Sequence, residues 1–156
     1  MVDDEPLICK ISTEILLRRG YAVDIITDGN LAWQALKSTR YDLLVTDQNM
    51  PGLSGLELIR MARNAHMTLP VILFSGMPSP DLPRLERSLQ INAVLHKPFT
   101  IDELVGMVEA ALLNAARAAV HDDTAGTTAP PDSADTMPAT MIPPPKPGAP
   151  RNISKR

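Results

Sequence analysis

The sequence predicts an α/β fold, a doubly wound parallel sheet with helices on both faces, and three observations carry that expectation. Helical and strand-like patterns alternate through residues 7–117 with short connections between them. Two of the strand-like segments, Asp42–Thr46 and Pro70–Ser75, hold continuous apolar runs rather than alternating ones, as parallel strands covered on both faces do. The composition then changes near residue 121: eight of the fifteen prolines lie beyond residue 129, which leaves one core-bearing domain within 156 residues.

Each element follows from local pattern. Residues 7–20 form a first helix, with Ile8, Ile11 and Ile15 at helical spacing, Leu7 and Leu16 beside them, and Gly20 placed as a C-terminal cap. Tyr21–Thr27 is short and β-branched and reads as a strand, and Asn30–Ser38 returns to helical spacing through Leu31, Ala32, Ala35 and Leu36. The apolar run of Asp42–Thr46 stops at Asp47. Ser54 with Glu57 is a capping box that opens a helix carrying Leu58, Ile59, Met61, Ala62 and Ala65. After the strand Pro70–Ser75, a short helix fits Leu82–Leu89, with Pro83 tolerated in its first turn. Ala93–His96 is a last strand, and Thr100 with Glu103 opens an alanine-rich helix through about Arg117.

Composition narrows the function. Fifteen Lys and Arg against eighteen Asp and Glu give a net charge of −3, with no basic stripe before the tail, which disfavours a nucleic-acid partner. Cys9 is the single cysteine, so no intramolecular disulfide and no multi-cysteine zinc site can form. No stretch approaches the roughly 18 apolar residues that cross a bilayer, and Met-Val-Asp-Asp-Glu is the reverse of a basic signal start, so a cytoplasmic location with no membrane partner is expected. The expected division is a domain at 1–118 and a disordered Pro/Ala/Thr-rich tail at 119–156, with a polyproline II stretch at Pro143–Pro147.

In a doubly wound sheet, functional groups collect at the carboxyl ends of the strands. Asp3 and Asp4, Asp47, Ser75 and Lys97 all fall at such ends. Carboxylates brought within a few ångströms of one another repel unless a cation neutralises them, and an all-oxygen site with few protein ligands suits Mg²⁺. A carboxylate can also attack phosphorus to form an acyl phosphate, with the metal, an ammonium and a hydroxyl stabilising the transferred oxygens.

Val-Asp-Asp-Glu-Pro at 2–6, Asp-Gln-Asn-Met-Pro-Gly-Leu-Ser-Gly at 47–55, Ser75-Gly76 and Lys97-Pro98-Phe99 together resemble the receiver domain of two-component response regulators over roughly residues 2–115. The resemblance implies a flavodoxin-like sheet of order 2-1-3-4-5. It implies that Asp47 is the phosphoacceptor and that Asp3, Asp4, Asp47 and the backbone carbonyl of Asn49 hold Mg²⁺. It further implies that Ser75 and Lys97 contact the phosphoryl group, and that the Lys97–Pro98 bond is cis. The donor would be a sensor histidine kinase or a histidine phosphotransfer protein. The chain would then be a phosphoacceptor rather than a turnover enzyme, with output through an unidentified protein target.

This chain departs from the family pattern in three places. Only Met1 and Val2 precede the acidic pair where receivers carry a first strand, which predicts unpaired ladder groups and a slot in the core. Val94 stands where many receivers carry a Tyr or Phe that moves on phosphorylation, which predicts a weaker or different output. Met77 supplies neither base nor strong acceptor beside the path of an attacking water, which predicts no fast self-dephosphorylation from that position. Two other readings of the same residues are a receiver-like module that binds without being phosphorylated and a phosphatase of the haloacid dehalogenase type. The latter calls for a second Asp where Asn49 stands.

The remaining reactive residues have plain structural readings. Cys9 reads as a small buried residue and Trp33 as a packing residue. His66, His96 and His121 are scattered rather than spaced for a metal, and Asn152-Ile153-Ser154 reads as a chance glycosylation pattern.

Overall fold

The computed structural model describes residues 1–76 and 80–122. Five helices, α1 (Pro6–Arg18), α2 (Gly29–Ser38), α3 (Gly55–Asn64), α4 (Leu82–Leu89) and α5 (Ile101–Asp122), are interleaved with strands β1 (Leu44–Asp47), β2 (Val71–Ser75) and β3 (Ala93–His96). The strands form one parallel sheet of order β1-β2-β3, with Leu44 opposite Val71 and Ile72 opposite Ala93.

Every residue of β2 is buried, and its side chains alternate between two cores. Val71 and Leu73 join Leu58, Ile59 and Ala32 on one face, whereas Ile72 and Phe74 join Leu16, Leu104 and Val108 on the other. The continuous apolar run therefore does what its pattern predicts. Each such side chain contributes about 1.5–3 kcal/mol relative to exposure.

The predicted strand at 21–27 is not formed. Within it only Ile26 bridges, and the sheet is a three-stranded ladder extended by two isolated parallel bridges, Val2–Ile26 and Val2–Thr46. The physical reason is that a strand exists only with a partner, and the backbone beside Ile26 is a three-residue stub. Val2 donates to Val45 O at 2.8 Å and accepts from Asp47 N at 2.8 Å, while Ile26 N donates to Met1 O at 2.9 Å. The Met1 ammonium donates to Asp24 O at 2.6 Å, and its burial pushes its pKa down. The spatial order Ile26, Val2, β1, β2, β3 still follows the 2-1-3-4-5 pattern, with single residues in place of its first two members. Val2 itself is 2% exposed, and of the expected slot there remains a small pocket of about 20 Å³ lined by Met1, Val2, Asp24, Ile26, Ala32 and Leu44. At the amino ends of the strands there is an open groove of about 1210 Å³, lined by Leu36, Tyr41, Asp42, Leu69, Pro70 and Ala115.

The inward face of α1 also differs from expectation. It is Cys9, Ser12, Thr13 and Leu16, whereas Leu7 and Ile11 are exposed. Two hydroxyl residues let the helix approach the sheet closely, a stripe that apolar periodicity does not reveal. Gly20 ends the turn after α1 at φ +85°, as its placement predicts.

Both capping boxes form: Ser54 with Glu57 at α3, and Thr100 with Glu103 at α5. Arg63 of α3 donates to the carbonyls of Met67, Leu69, Leu89 and Gln90 at 2.7–3.0 Å, which ties the end of α4 to the loop that feeds β2. The helix α5 runs to Asp122, past the expected Arg117.

The chain divides into one unit at Met1–Gly126 and another at Thr127–Arg156. Met77, the polyproline stretch, Asn152 and the expected disorder of the tail lie outside the described residues. His121 falls on α5, but its side chain is likewise outside them.

Candidate functional site

The end of β1 and the stub beside it meet the ammonium group carried just past the end of β3, with the end of β2 between the two strands. Asp47 is the last residue of β1, Ser75 the last of β2, and Lys97 follows β3 directly. Asp3 follows Val2, so the bridge that holds Val2 between Ile26 and β1 also sets the depth of the Asp3 carboxylate. Lys97 Nζ lies 2.6 Å from Asp47 Oδ1, 2.8 Å from Glu5 Oε1 and 3.1 Å from Asp3 Oδ2. Both aspartates are buried, and the Lys97 side chain is 15% exposed.

The backbone fixes these groups. Asp47 Oδ2 accepts the Asn49 N–H at 2.7 Å and Asp3 Oδ1 accepts the Glu5 N–H at 2.8 Å, so each carboxylate is held at one oxygen and offers the other to Lys97. Lys97 N donates to Ser75 O at 2.8 Å, and the Lys97–Pro98 bond is cis. The Phe99 ring packs on Phe74 with centroids 4.6 Å apart, which anchors the turn carrying Lys97 against β2. Beneath Asp47, the α carbon of Gly55 is so close that a Cβ there would lie 1.9 Å from Asp47 O.

The electrostatics are lopsided. Three carboxylates share one ammonium, so the cluster carries a surplus of negative charge. Burial raises the Asp3 pKa against the opposing pull of its bonds to Glu5 N–H and Lys97. Burial alone would lower the Lys97 pKa, but the bonds to Asp47, Glu5 and Asp3 outweigh it and raise it well above the usual lysine value.

The structure thus brings Asp3, Asp47 and Lys97 together at the carboxyl edge of the sheet, with Ser75 buried at the neighbouring strand end. Asp4 and Asn49 are exposed, and Asp4 makes no ion pair with Lys97. Among the described residues no group of three or more His, Cys, Asp or Glu side chains gathers into a ready metal cage. That arrangement fits Mg²⁺ all the same, because Mg²⁺ is usually held by one or two carboxylates with water and substrate oxygens completing its shell. The buried Asp3 and Asp47 carboxylates are the pair in this pocket that could hold such an ion.

Glu5 was missed by sequence reasoning. Its signal was present as a third acidic residue after Asp3 and Asp4, but linear spacing does not show that Lys97 reaches it. Cys9 is buried as expected, and its thiol lies 3.2 Å from Asp3 O.

A parallel α/β sheet with helices on both faces and its polar pocket at the carboxyl edge of the strands defines a flavodoxin-like fold. Residues 1–109 match the response regulator receiver domain family, and the chain belongs to it. Among curated relatives it is similar to the response regulator RppA of Synechocystis sp., at 33% identity over 70% of this chain and 48% of that protein. It is also similar to the transcriptional regulatory protein TctD of Salmonella typhimurium, at 37% identity over 69% of this chain and 47% of that protein. The chain therefore spans about half the length of the curated relatives it matches. Among solved structures, the receiver domain of the Francisella response regulator 1452 superposes with a TM-score of 0.68 at 27% identity, covering 72% of this chain and 93% of that one. The chemotaxis protein CheY4 of Vibrio cholerae gives 0.66 at 25% identity, covering 70% and 93%.

Proposed function

We propose that this chain is a phosphoacceptor that takes a phosphoryl group onto Asp47 from a histidine kinase or a histidine phosphotransfer protein. The observation that carries the reading is the convergence of Asp47, Asp3 and Lys97, with Ser75 at the adjacent strand end. An Asp47 carboxylate oxygen attacks phosphorus, the P–N bond to the donor imidazole breaks, and the electron pair and a proton return to that ring. Lys97 neutralises charge on the transferred oxygens, and the Ser75 hydroxyl bonds one of them. Asp3, Asp47 and the Asn49 carbonyl would hold Mg²⁺, with the charge of Asp4 next to them. When bound, the ion supplies neutralisation of the charge that builds on the phosphoryl oxygens.

Output is by protein–protein contact. Val94 is half-buried against the core that holds Leu73 and Leu89, and its β-branched aliphatic side chain cannot swing as an aromatic ring does. A Val94→Tyr substitution is expected to change the phosphorylation-dependent affinity for a target, and an unchanged affinity removes this residue from the account. Among the described residues no helix is long and apolar enough to cross a membrane.

The test is a thermal melt with Mg²⁺, with and without beryllofluoride as phosphoryl mimic, on the wild type and on Asp47→Asn. Ligand at a hundredfold its Kd adds about 2.7 kcal/mol of stability. The wild type should gain stability of that order, and Asp47→Asn should not. Equal stabilisation of both would overturn the reading.

A further inference from the structure

We infer that Glu5 is a positioning residue that holds the third donor of Lys97 before phosphorylation and surrenders it to the phosphoryl group. The inference rests on the phosphoacceptor reading of Asp47 and adds to it the regulation of that pocket. A lysine ammonium has three N–H donors and no acceptor. Here the ammonium is surrounded by carboxylates, hydrogen-bonded to Asp3 and Glu5 at 3.1 and 2.8 Å and ion-paired with Asp47 at 2.6 Å. A phosphoryl oxygen arriving on Asp47 can gain Lys97 only if one of those bonds opens.

Burial decides which one opens. The Asp3 side chain is 0% exposed and that of Asp47 8% exposed, so while the phosphoryl group approaches, before Asp47 gives up its charge to the new P–O bond, breaking either contact would strand a charge that water cannot reach. The Glu5 side chain is 58% exposed, and water replaces its bond at little cost. Glu5 is therefore the exchangeable partner. It also places a negative charge at the mouth of a pocket that must admit an anion, so it opposes phosphorylation twice, by competing for Lys97 and by repulsion.

Glu5 is free to do this because the fold does not otherwise use its side chain. It stands at the N-cap of α1 yet makes no capping hydrogen bond, and Pro6 at the first helical position supplies that end's conformation. Replacing it leaves the helix start intact.

The experiment is a beryllofluoride titration at saturating Mg²⁺ on the full chain, comparing wild type, Glu5→Gln and Glu5→Ala, with Mg²⁺ affinity measured separately by calorimetry. Removing a screened charge several ångströms from the ligand should tighten beryllofluoride binding about threefold to tenfold in both variants. Mg²⁺ affinity should fall by less than about threefold, since an ion held through other carboxylates loses only distant attraction. In the metal-free protein, the ¹⁵Nζ–H signal of Lys97 should shift and exchange faster with solvent in both variants, a change that a purely structural role for Glu5 would not produce.

Two results overturn the inference alone: wild-type beryllofluoride binding that depends on Asp47 but is unchanged in Glu5→Gln, or a loss of Mg²⁺ affinity beyond tenfold, which would make Glu5 a metal ligand instead. A wild type with no Asp47-dependent response overturns the phosphoacceptor reading itself, and this role for Glu5 falls with it.

Discussion

Glycine 55 offers a clean test of how tightly the Asp47 backbone is held. A methyl group added there would sit 1.9 Å from Asp47 O and 2.9 Å from both Asp47 C and Thr46 Oγ1. The first distance is about 1.5 Å short of the 3.4 Å at which ordinary contact begins, and the obstacle is backbone rather than a flexible side-chain tip. Either β1 or the start of α3 must move. Moving α3 sacrifices the Gly55 N–H bond to Gln48 O, and moving β1 disturbs the ladder to β2 and the Lys97–Asp47 contact. Overpacking a well-ordered core costs about 1–3 kcal/mol, and a rigid backbone obstacle puts Gly55→Ala at the top of that range. For a domain of this size about 3 kcal/mol lowers the melting midpoint by about 12 °C. The matched control is Gly106→Ala on α5, where a Cβ would meet nothing within 4 Å. There the same substitution should stabilise by about 0.5–1 kcal/mol through helix propensity. Circular dichroism melts of the two variants should move in opposite directions. A Gly55→Ala midpoint within about 2 °C of wild type, with beryllofluoride affinity unchanged, would refute the reasoning.

Other substitutions probe the frame around the site. Arg63→Ala removes four hydrogen bonds to carbonyls and should cost about 2–4 kcal/mol in urea unfolding, with Arg63→Lys recovering less than half because an ammonium cannot span four acceptors; equal stability of all three proteins would contradict this. The Glu57 and Glu103 pKa values are lowered, the first chiefly by the Ser54 hydroxyl and the second chiefly by the Thr100 N–H. A carboxylate with a lowered folded-state pKa adds stability that is full above its unfolded value and is lost as pH falls through the folded one. Glu57→Gln and Glu103→Gln should therefore be less stable than wild type at pH 7, and the gap should close below the ordinary carboxylate pKa of 4.5; a gap that persists at pH 3 would show the charge to be irrelevant.

The parts of the molecule that were legible in the sequence share a physical cause. Asp47 and Ser75 end apolar runs buried on both faces, and a polar residue closing such a run marks the carboxyl edge of a sheet. Lys97 was legible from its turn, and the capping boxes from their three-residue spacing, which is local. What was not legible depends on distant partners. Tyr21–Ile25 has strand composition but little backbone beside it to pair with, and β propensity alone does not make a ladder. The inward face of α1 was misassigned because Ser12 and Thr13 pack as small residues while Leu7 and Ile11 face outward. Glu5 and Asp4 are neighbours of identical charge in the sequence, and only the direction of the chain entering α1 separates the one that meets Lys97 from the one that does not.

The pairing at Val2 has a dynamic consequence. Residues 24–26 are joined to the sheet by the backbone of Met1–Asp3, beside which the Tyr41 hydroxyl donates to Asp24 Oδ2 at 2.9 Å and Ile26 packs against the core. Segments held by few buried hydrogen bonds open at lower free energy than the ladder beside them. The amide of Ile26 should therefore exchange with solvent well before those of β2. Because Asp3 N donates to Ile26 O while Asp3 Oδ2 faces Lys97, that opening removes one of the backbone bonds that hold the residue whose carboxylate lines the acidic pocket. Any ion or phosphoryl mimic that secures Asp3 closes the same seam, so protection of one edge amide reports occupancy at the opposite end of the stub.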